Sequence, residues 1–529
     1  MVKILVCDDI SDKGLDILRA DSEIGLVVKT KQTPEQLISL VADVDGILVR
    51  SETKITADII NAAKKLHAVG RAGAGIDNID VNAATNKGIV VMNTPGGNTL
   101  SAAEHTIAML LALARNIPQA YAALKEKKEW NRKKYTGTEV NGKTLGIVGL
   151  GRVGREVARM ARGLGMVVIA SDPFVTPENA GAAGATLKEF DELLGESDYI
   201  SLNLSLTPQT KHIFNREAFA KMQNGVRLIN CARGELIDTD ALIDALKSGK
   251  VCAAAVDVFE KEPPFDSPLL EIDNVIVTPH LGASTVEAQE KVAVTIAEQF
   301  LKFFKQGVIQ NAVNVPMLGE QEGRVLAPYI TLGEKMGLLL AQLFPGPVHE
   351  ITIRYSGEIT NYDLSLPTIA VQKGLLTPVL DGQDVNIVNT PKLIRERGIK
   401  ITETHSNAPA KFTNLVVASI DGGRQGASVS GTVGVGSELR IVRIGDFEVD
   451  WSPEGVTLFC HNEDKPGFIG QVGTILGKYG VNIASMEVSR RDKGGEALTI
   501  ISLDSSIPEE VLAGLRKIPQ LKKVLQASL

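Results

Sequence analysis

The sequence predicts an α/β chain: two doubly wound lobes, then an α+β unit, then a small βαββαβ unit of ferredoxin-like order. Three observations predict it. Short apolar runs alternate with amphipathic stretches in two successive blocks, the rhythm of parallel sheets. A Gly-x-Gly-x-x-Gly turn opens the second block, between a strand pattern and a helix pattern. The final unit, 453–529, reads strand, helix, strand, strand, helix, strand. The 529 residues suit three or four domains at roughly 100–200 residues each.

In the first block, strands are expected at 3–7, 25–29, 46–49, 68–71 and 89–93, with helices at 33–42 and 56–64. A helix from 100 to 115 follows, apolar on all sides and therefore buried, as between two domains. The second block places strands at 144–148, 167–171, 199–202, 227–230, 252–256 and 275–277. Six strands with intervening helices make a Rossmann-like lobe. The long amphipathic helix at 286–304 has no strand after it, so it is expected to cross back and complete the first lobe. The first lobe is then discontinuous, 1–98 and 285–316, with 99–284 inserted in it. Past Pro316, segments 350–355, 427–435 and 438–444 read as antiparallel strands among glycines, an intervening domain at 317–452. A linker is expected around 451–455. The last unit has strands at 456–461, 483–490, 497–503 and 521–526, and helices at 467–479 and 508–517.

Composition excludes several classes. A hydrophobic share of 44% excludes general disorder. A net charge of −7 disfavours a nucleic-acid partner. Cys7, Cys231, Cys252 and Cys460 are too scattered for a disulfide framework or a metal site, and suit a reducing compartment. The N-terminus carries no apolar signal region, and no run of about 18 apolar residues suggests a membrane span. A cytoplasmic location is expected, although a removed transit peptide would leave no trace. His105 and His212 read as structural, and His67, His349 and His405 have no partner pattern.

The fingerprint glycines are Gly149, Gly151 and Gly154, before a helix expected at 155–163. The first allows a tight turn, the second lets the backbone approach a pyrophosphate, and the third permits close helix–strand packing. The helix N-terminus adds NH groups for phosphate. Asp172 ends the next strand, 21 residues after Gly151. Its carboxylate suits ribose hydroxyls and would repel a 2′-phosphate, so NAD is expected rather than NADP.

Three residues carry candidate chemistry. Arg233 and His280 lie just past strand ends, where the ligand crevice of an open α/β sheet sits, and Glu262 lies in a Pro-rich loop between them. Hydride transfer between an alcohol and NAD needs a group that exchanges the hydroxyl proton, which suits histidine near neutral pH. A paired carboxylate orients it. Arginine anchors a carboxylate through bidentate geometry.

The phrases Leu145-Gly-Ile-Val-Gly-Leu-Gly-Arg-Val-Gly154, Asn230-Cys-Ala-Arg-Gly234 and Pro279-His-Leu-Gly-Ala-Ser-Thr285 resemble the D-isomer-specific 2-hydroxyacid dehydrogenases. So do Gly70-Arg-Ala-Gly-Ala-Gly-Ile-Asp-Asn-Ile-Asp80 and Met92-Asn-Thr-Pro-Gly-Gly-Asn-Thr-Leu-Ser-Ala-Ala-Glu104, which point to the branch acting on 3-phospho-D-glycerate. The resemblance implies NAD-dependent oxidation of that acid to 3-phosphohydroxypyruvate, the first step of phosphorylated L-serine synthesis. By it, Arg233 binds the substrate carboxylate and carbonyl, His280 is the acid/base and Glu262 its partner. Implied cofactor contacts, beyond the three glycines, are Arg152, Val153, Asp172, Leu204, Cys231, Ala232, Arg233, Asp257, His280, Leu281, Gly282 and Ala283. Leu204 and Ala74 stand where family members often carry hydroxyl residues, so contacts there are expected from the main chain.

A phosphorylated acid needs cations and amide NH groups. Arg50 and Ser51, and the run Arg71, Gly73, Ala74, Gly75, follow strands of the first lobe and face the same crevice. Residues 125–134 hold six cations, and Arg132 among them is implied as a phosphate ligand that reaches a neighbouring subunit's cleft. The last unit, with Phe459-Cys-His-Asn-Glu-Asp-Lys-Pro-Gly467 and Gly480-Val-Asn-Ile483, resembles the ACT-type domain that binds amino acids between paired copies. Asn462, Asp464 and Asn482 are then the expected effector contacts, and L-serine the implied effector. A homo-oligomer, dimer or tetramer, follows. Two other readings stand beside this one. A dehydrogenase of glyoxylate or lactate type is disfavoured by Arg50, Arg71 and Arg132. An NAD-sensing binding protein on the same scaffold is disfavoured by the intact Arg233, Glu262 and His280 set.

Overall fold

The computed structural model describes residues 1–529 except 345, 381–383, 407–410 and 424–425. Five short apolar runs form the first sheet: β1 (Val2–Val6), β2 (Ile24–Val28), β3 (Gly46–Val49), β4 (Ala68–Arg71) and β5 (Val90–Met92). They pair in parallel in the order β2-β1-β3-β4-β5. Every residue of β3 is buried, as a strand covered on both faces must be. The helix Val286–Gln306 returns to this lobe as its sequence predicts. Its Phe300 is fully buried, 3.0 Å from where a Cβ on Gly46 would lie. A Cβ on Gly14 would collide with Ala293, so this helix and Asp12–Arg19 cross at backbone contact.

The second sheet contains β6 (Thr144–Val148), β7 (Val167–Ser171), β8 (Thr186–Leu187), β9 (Tyr199–Leu202), β10 (Val226–Asn230), β11 (Val251–Val256) and β12 (Val275–Val277). The order β12-β11-β10-β9-β6-β7-β8 is parallel throughout. It has one strand more than expected. β8 is two residues long, too short for an apolar run to mark it. The order reverses at β6, which pairs with both β7 and β9, and the crevice opens beyond the carboxyl ends there. The apolar helix Thr99–Ala114 carries the chain between lobes, with Leu110 and Ala103 fully buried.

The third sheet comprises β13 (Glu350–Gly357), β14 (Lys400–Ser406), β15 (Asn414–Asp421), β16 (Gly426–Val433), β17 (Leu439–Ile444) and β18 (Phe447–Trp451). Its order is β14-β13-β15-β16-β17-β18, antiparallel except for the β13–β14 pair. Helices Glu320–Leu343 and Ser365–Leu376 pack with it. They cross so closely that a Cβ on Gly337 or Gly374 would meet the other helix's backbone. The expected linker at 451–455 needs correction, because Trp451 ends β18, is 4% exposed and stands edge-on to Phe459 at 5.2 Å.

The fourth sheet holds β19 (Val456–Glu463), β20 (Ile483–Arg490), β21 (Glu496–Leu503) and β22 (Leu521–Ser528) in the antiparallel order β20-β21-β19-β22. Strand alternation sends Leu458 and Cys460 towards its two helices, and Phe459 and Ile500 into the core of the third sheet. The two C-terminal units therefore share a core. Among the described residues no single helix is long and apolar enough to cross a membrane.

Candidate active site

The turn after β6 shows three distinct glycine roles. Gly149 has φ +94°, a conformation that side chains resist, and a Cβ on it would lie 2.8 Å from the Asn203 carbonyl oxygen. Gly151 caps the helix Arg152–Gly163 and faces open space. A Cβ on Gly154 would collide with the carbonyl oxygen of Gly149. The helix starts at Arg152 rather than 155, so the NH groups of its first turn belong to the fingerprint itself. Asp172 follows β7 and accepts hydrogen bonds from the Leu150 amide (2.8 Å) and the Phe174 amide (2.9 Å). These bonds tie the acidic strand end to the glycine turn. A cradle that admits a backbone-bound phosphate, with a carboxylate beside it, fits a dinucleotide.

Arg233, Glu262 and His280 follow β10, β11 and β12, three neighbouring strands. Buried Asn230 shapes the first turn by accepting from the Ala232 amide (3.0 Å) and donating to the Arg233 carbonyl (2.8 Å). His280 adopts φ +54° and donates its amide to the Asp257 carbonyl (2.9 Å). Its Nδ1 lies 3.0 Å from Oε2 of Glu262, whose Oε1 accepts the Phe259 amide (3.2 Å). Burial works against the charge on Glu262, but the His280 pair outweighs it and holds the carboxyl below its usual range. With the Nδ1 proton directed at Glu262, Nε2 is the nitrogen left to exchange a proton. Val153, Leu204, Cys231, Ala232, Arg233, His280, Gly282 and Ala283 line a cleft of about 440 Å³, closed on the other lobe by Ala74, Gly75 and Asp77.

Asp257, expected as a cofactor contact, is engaged within the chain. It is fully buried, and its carboxylate accepts from Thr278 Oγ1 (2.5 Å), the Leu281 amide (2.7 Å) and the Gly282 amide (2.9 Å). His105 has a structural partner there, since its Nε2 stands 3.2 Å from Asp257 Oδ1 and 3.3 Å from Thr278 Oγ1. Burial penalises the Asp257 charge, yet the bonds from His105, Thr278 and Leu281 keep its carboxyl below the usual range. Cys231 completes a three-residue group whose ligand atoms lie within 4.8 Å of one another. Burial pushes its thiol up to about 12, and the Asp257 oxygens are already engaged, so this group is a hydrogen-bond network that fixes the His280 loop. The sequence signal was available: an Asp at the end of β11, where every neighbour needs an acceptor.

On the first lobe, buried Asp8 accepts from the Arg50 amide (2.6 Å) and from the amide (3.1 Å) and hydroxyl of Thr53, which organises the loop after β3. Ser51 lies exposed in that loop. Arg71 donates Nε to the Arg50 carbonyl (2.9 Å), and among the described residues nothing bonds its buried Nη1. Burial lowers the Arg71 guanidinium to about 10, with Asp77 opposing and Arg233 reinforcing the shift. A Cβ on Gly75 would lie 2.5 Å from Arg71 Nη1 and would collide with Arg233 Nη2. Two guanidinium groups from two lobes thus converge on one glycine. Gly73 accepts the Thr94 amide through its carbonyl (3.0 Å), and the Ala74 carbonyl is taken by Asn93 Nδ2 (2.5 Å). Arg132 is exposed, past the end of the helix Ile117–Lys127, and does not line the cleft of its own chain.

The three effector candidates do not converge. Asn462 needs correction: it is 3% exposed, accepts from Thr499 Oγ1 (2.8 Å) and donates to the Glu463 carbonyl (3.0 Å). Its polar atoms serve the sheet itself. Asp464 accepts from Arg490 (3.0 Å) and the Gly494 amide (3.1 Å), at one end of the sheet. Asn482 bonds Asp504 (2.7 Å) at the opposite end.

Residues 107–282 match the family profile of the D-isomer specific 2-hydroxyacid dehydrogenase, NAD binding domain. Residues 325–445 match the D-3-phosphoglycerate dehydrogenase intervening domain, and 456–520 the ACT domain. The D-3-phosphoglycerate dehydrogenase of Methanocaldococcus jannaschii is 43% identical over 525 residues, 99% of each chain. The enzyme of that name from Bacillus subtilis is 42% identical over 524 residues, again 99% of each chain. Among solved structures, a D-lactate dehydrogenase from Aquifex aeolicus complexed with NAD and lactic acid is 30% identical, with a TM-score of 0.53. It covers 59% of this chain and 100% of its own.

Proposed function

The chain belongs to the D-3-phosphoglycerate dehydrogenase family, and from that membership we propose the chemistry of its cleft. The protein is an NAD-dependent oxidoreductase that converts 3-phospho-D-glycerate to 3-phosphohydroxypyruvate. The observation that carries the residue assignment is the His280–Glu262 pair, 3.0 Å apart, whose His280 lines one cleft with Arg233 beyond the fingerprint turn.

NAD, when bound, supplies the hydride acceptor. Gly151, in the turn that Gly149 and Gly154 allow, admits its pyrophosphate, and Asp172 receives its ribose. Arg233 anchors the acid's carboxylate and, with Arg71, whose buried Nη1 has no partner among the described residues, concentrates positive charge where the anion must lie. Nε2 of His280 accepts the C2 hydroxyl proton, and the Glu262 carboxylate stabilises the resulting imidazolium. Asp8 presents the Arg50–Ser51 loop, and Gly73 and Gly75 let the Arg71 loop approach the phosphate. Arg132 serves a neighbouring copy. The exposed Ile117, Tyr121, Leu124 and Trp130 beside it, 49–77% accessible, support a homo-oligomeric face.

The ACT-type unit is the seat of regulation by L-serine. β19 and β20 both run antiparallel to β21, so Asp464 and Asn482 sit at opposite ends of strands that span about 25 Å. Two copies pairing antiparallel through the edge strand β20 bring Asn482 of one beside the Asp464 end of the other. Such a site forms only in the oligomer.

NADH formation tests the reaction. Turnover of 3-phosphoglycerate well above that of glycerate, lactate or glyoxylate supports the reading, and turnover of an unphosphorylated acid alone overturns it. Calorimetry with L-serine tests the effector, and absence of both binding and inhibition would leave the unit as a pairing module.

A further inference from the structure

One contact crosses the catalytic cleft and takes no part in the chemistry above. Asp77, in the glycine loop of the first lobe, accepts a hydrogen bond from Nε of Arg233 in the second lobe at 2.8 Å. The two residues are 156 apart in sequence. Nη1 of Arg233 donates to the Ala232 carbonyl at 2.7 Å. Two of the three guanidinium nitrogens are therefore engaged within the chain. The third, Nη2, faces Gly75, beside Nη1 of Arg71.

A carboxylate grips a guanidinium best through two parallel N–H bonds on one edge. The side edge of Arg233 consists of Nε and Nη2, and Asp77 already holds half of it. The holder is itself a carboxylate, the same group that a 2-hydroxy acid brings. The pair is open to solvent, with the side chains of Arg233 and Asp77 30% and 57% accessible, so an incoming anion can exchange with it.

We infer that Asp77 is an internal stand-in for the substrate carboxylate, holding the two lobes together on Arg233 until the acid displaces it from Nε. This deepens the reaction proposed above and rests on its assignment of Arg233 to the substrate carboxylate. Asp77 acts through Arg233 and is a positioning residue. It governs the affinity for carboxylates, and it prevents Arg233 from binding the wrong small anion in an empty cleft, because any ligand must outcompete it.

The test compares the wild-type chain with Asp77→Asn and Asp77→Glu. One readout is KM and kcat for 3-phosphoglycerate. The other is the Kd of oxamate, a monocarboxylate, for the NADH-loaded protein, followed by NADH fluorescence. Asp77→Asn should lower both KM and the oxamate Kd about 2- to 5-fold, the size of an exposed ion pair, with no rise in kcat. The KM for NAD should not move, and Asp77→Glu should return both constants towards wild type. A rise in KM or Kd, or no change, overturns the stand-in. So does an equal fall in the inhibition constant of inorganic phosphate, which would make Asp77 a source of general field. A wild-type protein that turns over no 3-phosphoglycerate sinks the reaction reading instead, and the oxamate arm still decides the role of Asp77.

Discussion

The catalytic cleft was expected to gather three residues from separate loops, and the C-terminal unit three residues from two segments. In the cleft, Arg233, Glu262 and His280 follow β10, β11 and β12, which run parallel and adjacent. All three strands end at the same edge of the sheet, so their loops meet. In the C-terminal unit, Asp464 follows β19 and Asn482 precedes β20, in a sheet whose neighbouring strands alternate in direction. The residues are placed at opposite edges. A parallel sheet thus gathers these three residues within one chain, whereas the effector site proposed for this antiparallel one would need a second copy.

The largest effect should come from the chemistry of the complete site. His280→Asn should lower kcat by about 10²–10⁴-fold while NADH binding, read by fluorescence, persists. Glu262→Gln should follow with about 10²-fold, because the His280 ring loses its charged partner. The Glu262 carboxyl lies below its ordinary value in the folded protein, so its stabilising contribution is complete above the ordinary carboxylate range. That contribution disappears as pH falls through the lowered value. Acid titration of wild type against Glu262→Gln should show the two stabilities converging there and separating at neutral pH.

Removing an anchor tests whether the two lobes really share one anion. Arg71→Ala should raise KM for the phosphorylated acid about 10- to 100-fold and spare NAD, the scale of a charge-assisted hydrogen bond. An equal effect on both substrates would separate Arg71 from the substrate site. The incomplete site is tested next. Asp464→Ala or Asn482→Ala should each abolish L-serine binding by calorimetry, and mixed oligomers of the two variants should regain part of it. Asn462→Ala should give the smallest functional change. It should cost about 1–3 kcal/mol of stability by stranding Thr499, and leave serine binding in whatever remains folded.

Much of the cleft was legible because its signals are local. The run from Thr144 to Gly154 encodes strand, turn and helix in one stretch. Arg233 and His280 could be assigned to the crevice because each directly follows an apolar run. The intervening domain was less legible. The helix Glu320–Leu343 carries Gly323, Pro328, Gly333 and Gly337, residues that read as breaks in sequence, and only the fold shows the second helix pressed against Gly333 and Gly337.

The sequence by itself determined the order of the four units, the fingerprint, and the strand ends that carry Arg233 and His280. Periodicity and turn chemistry are properties of neighbouring residues, so no folded structure is needed to read them. Only the tertiary structure decided how each polar group is satisfied. It gave Asp257 to the His280 loop, Asn462 to Thr499 and Asp77 to Arg233, and it left Arg71 Nη1 without a partner among the described residues. A buried donor or acceptor takes whichever partner folding brings within about 3 Å, and that partner is often more than a hundred residues away.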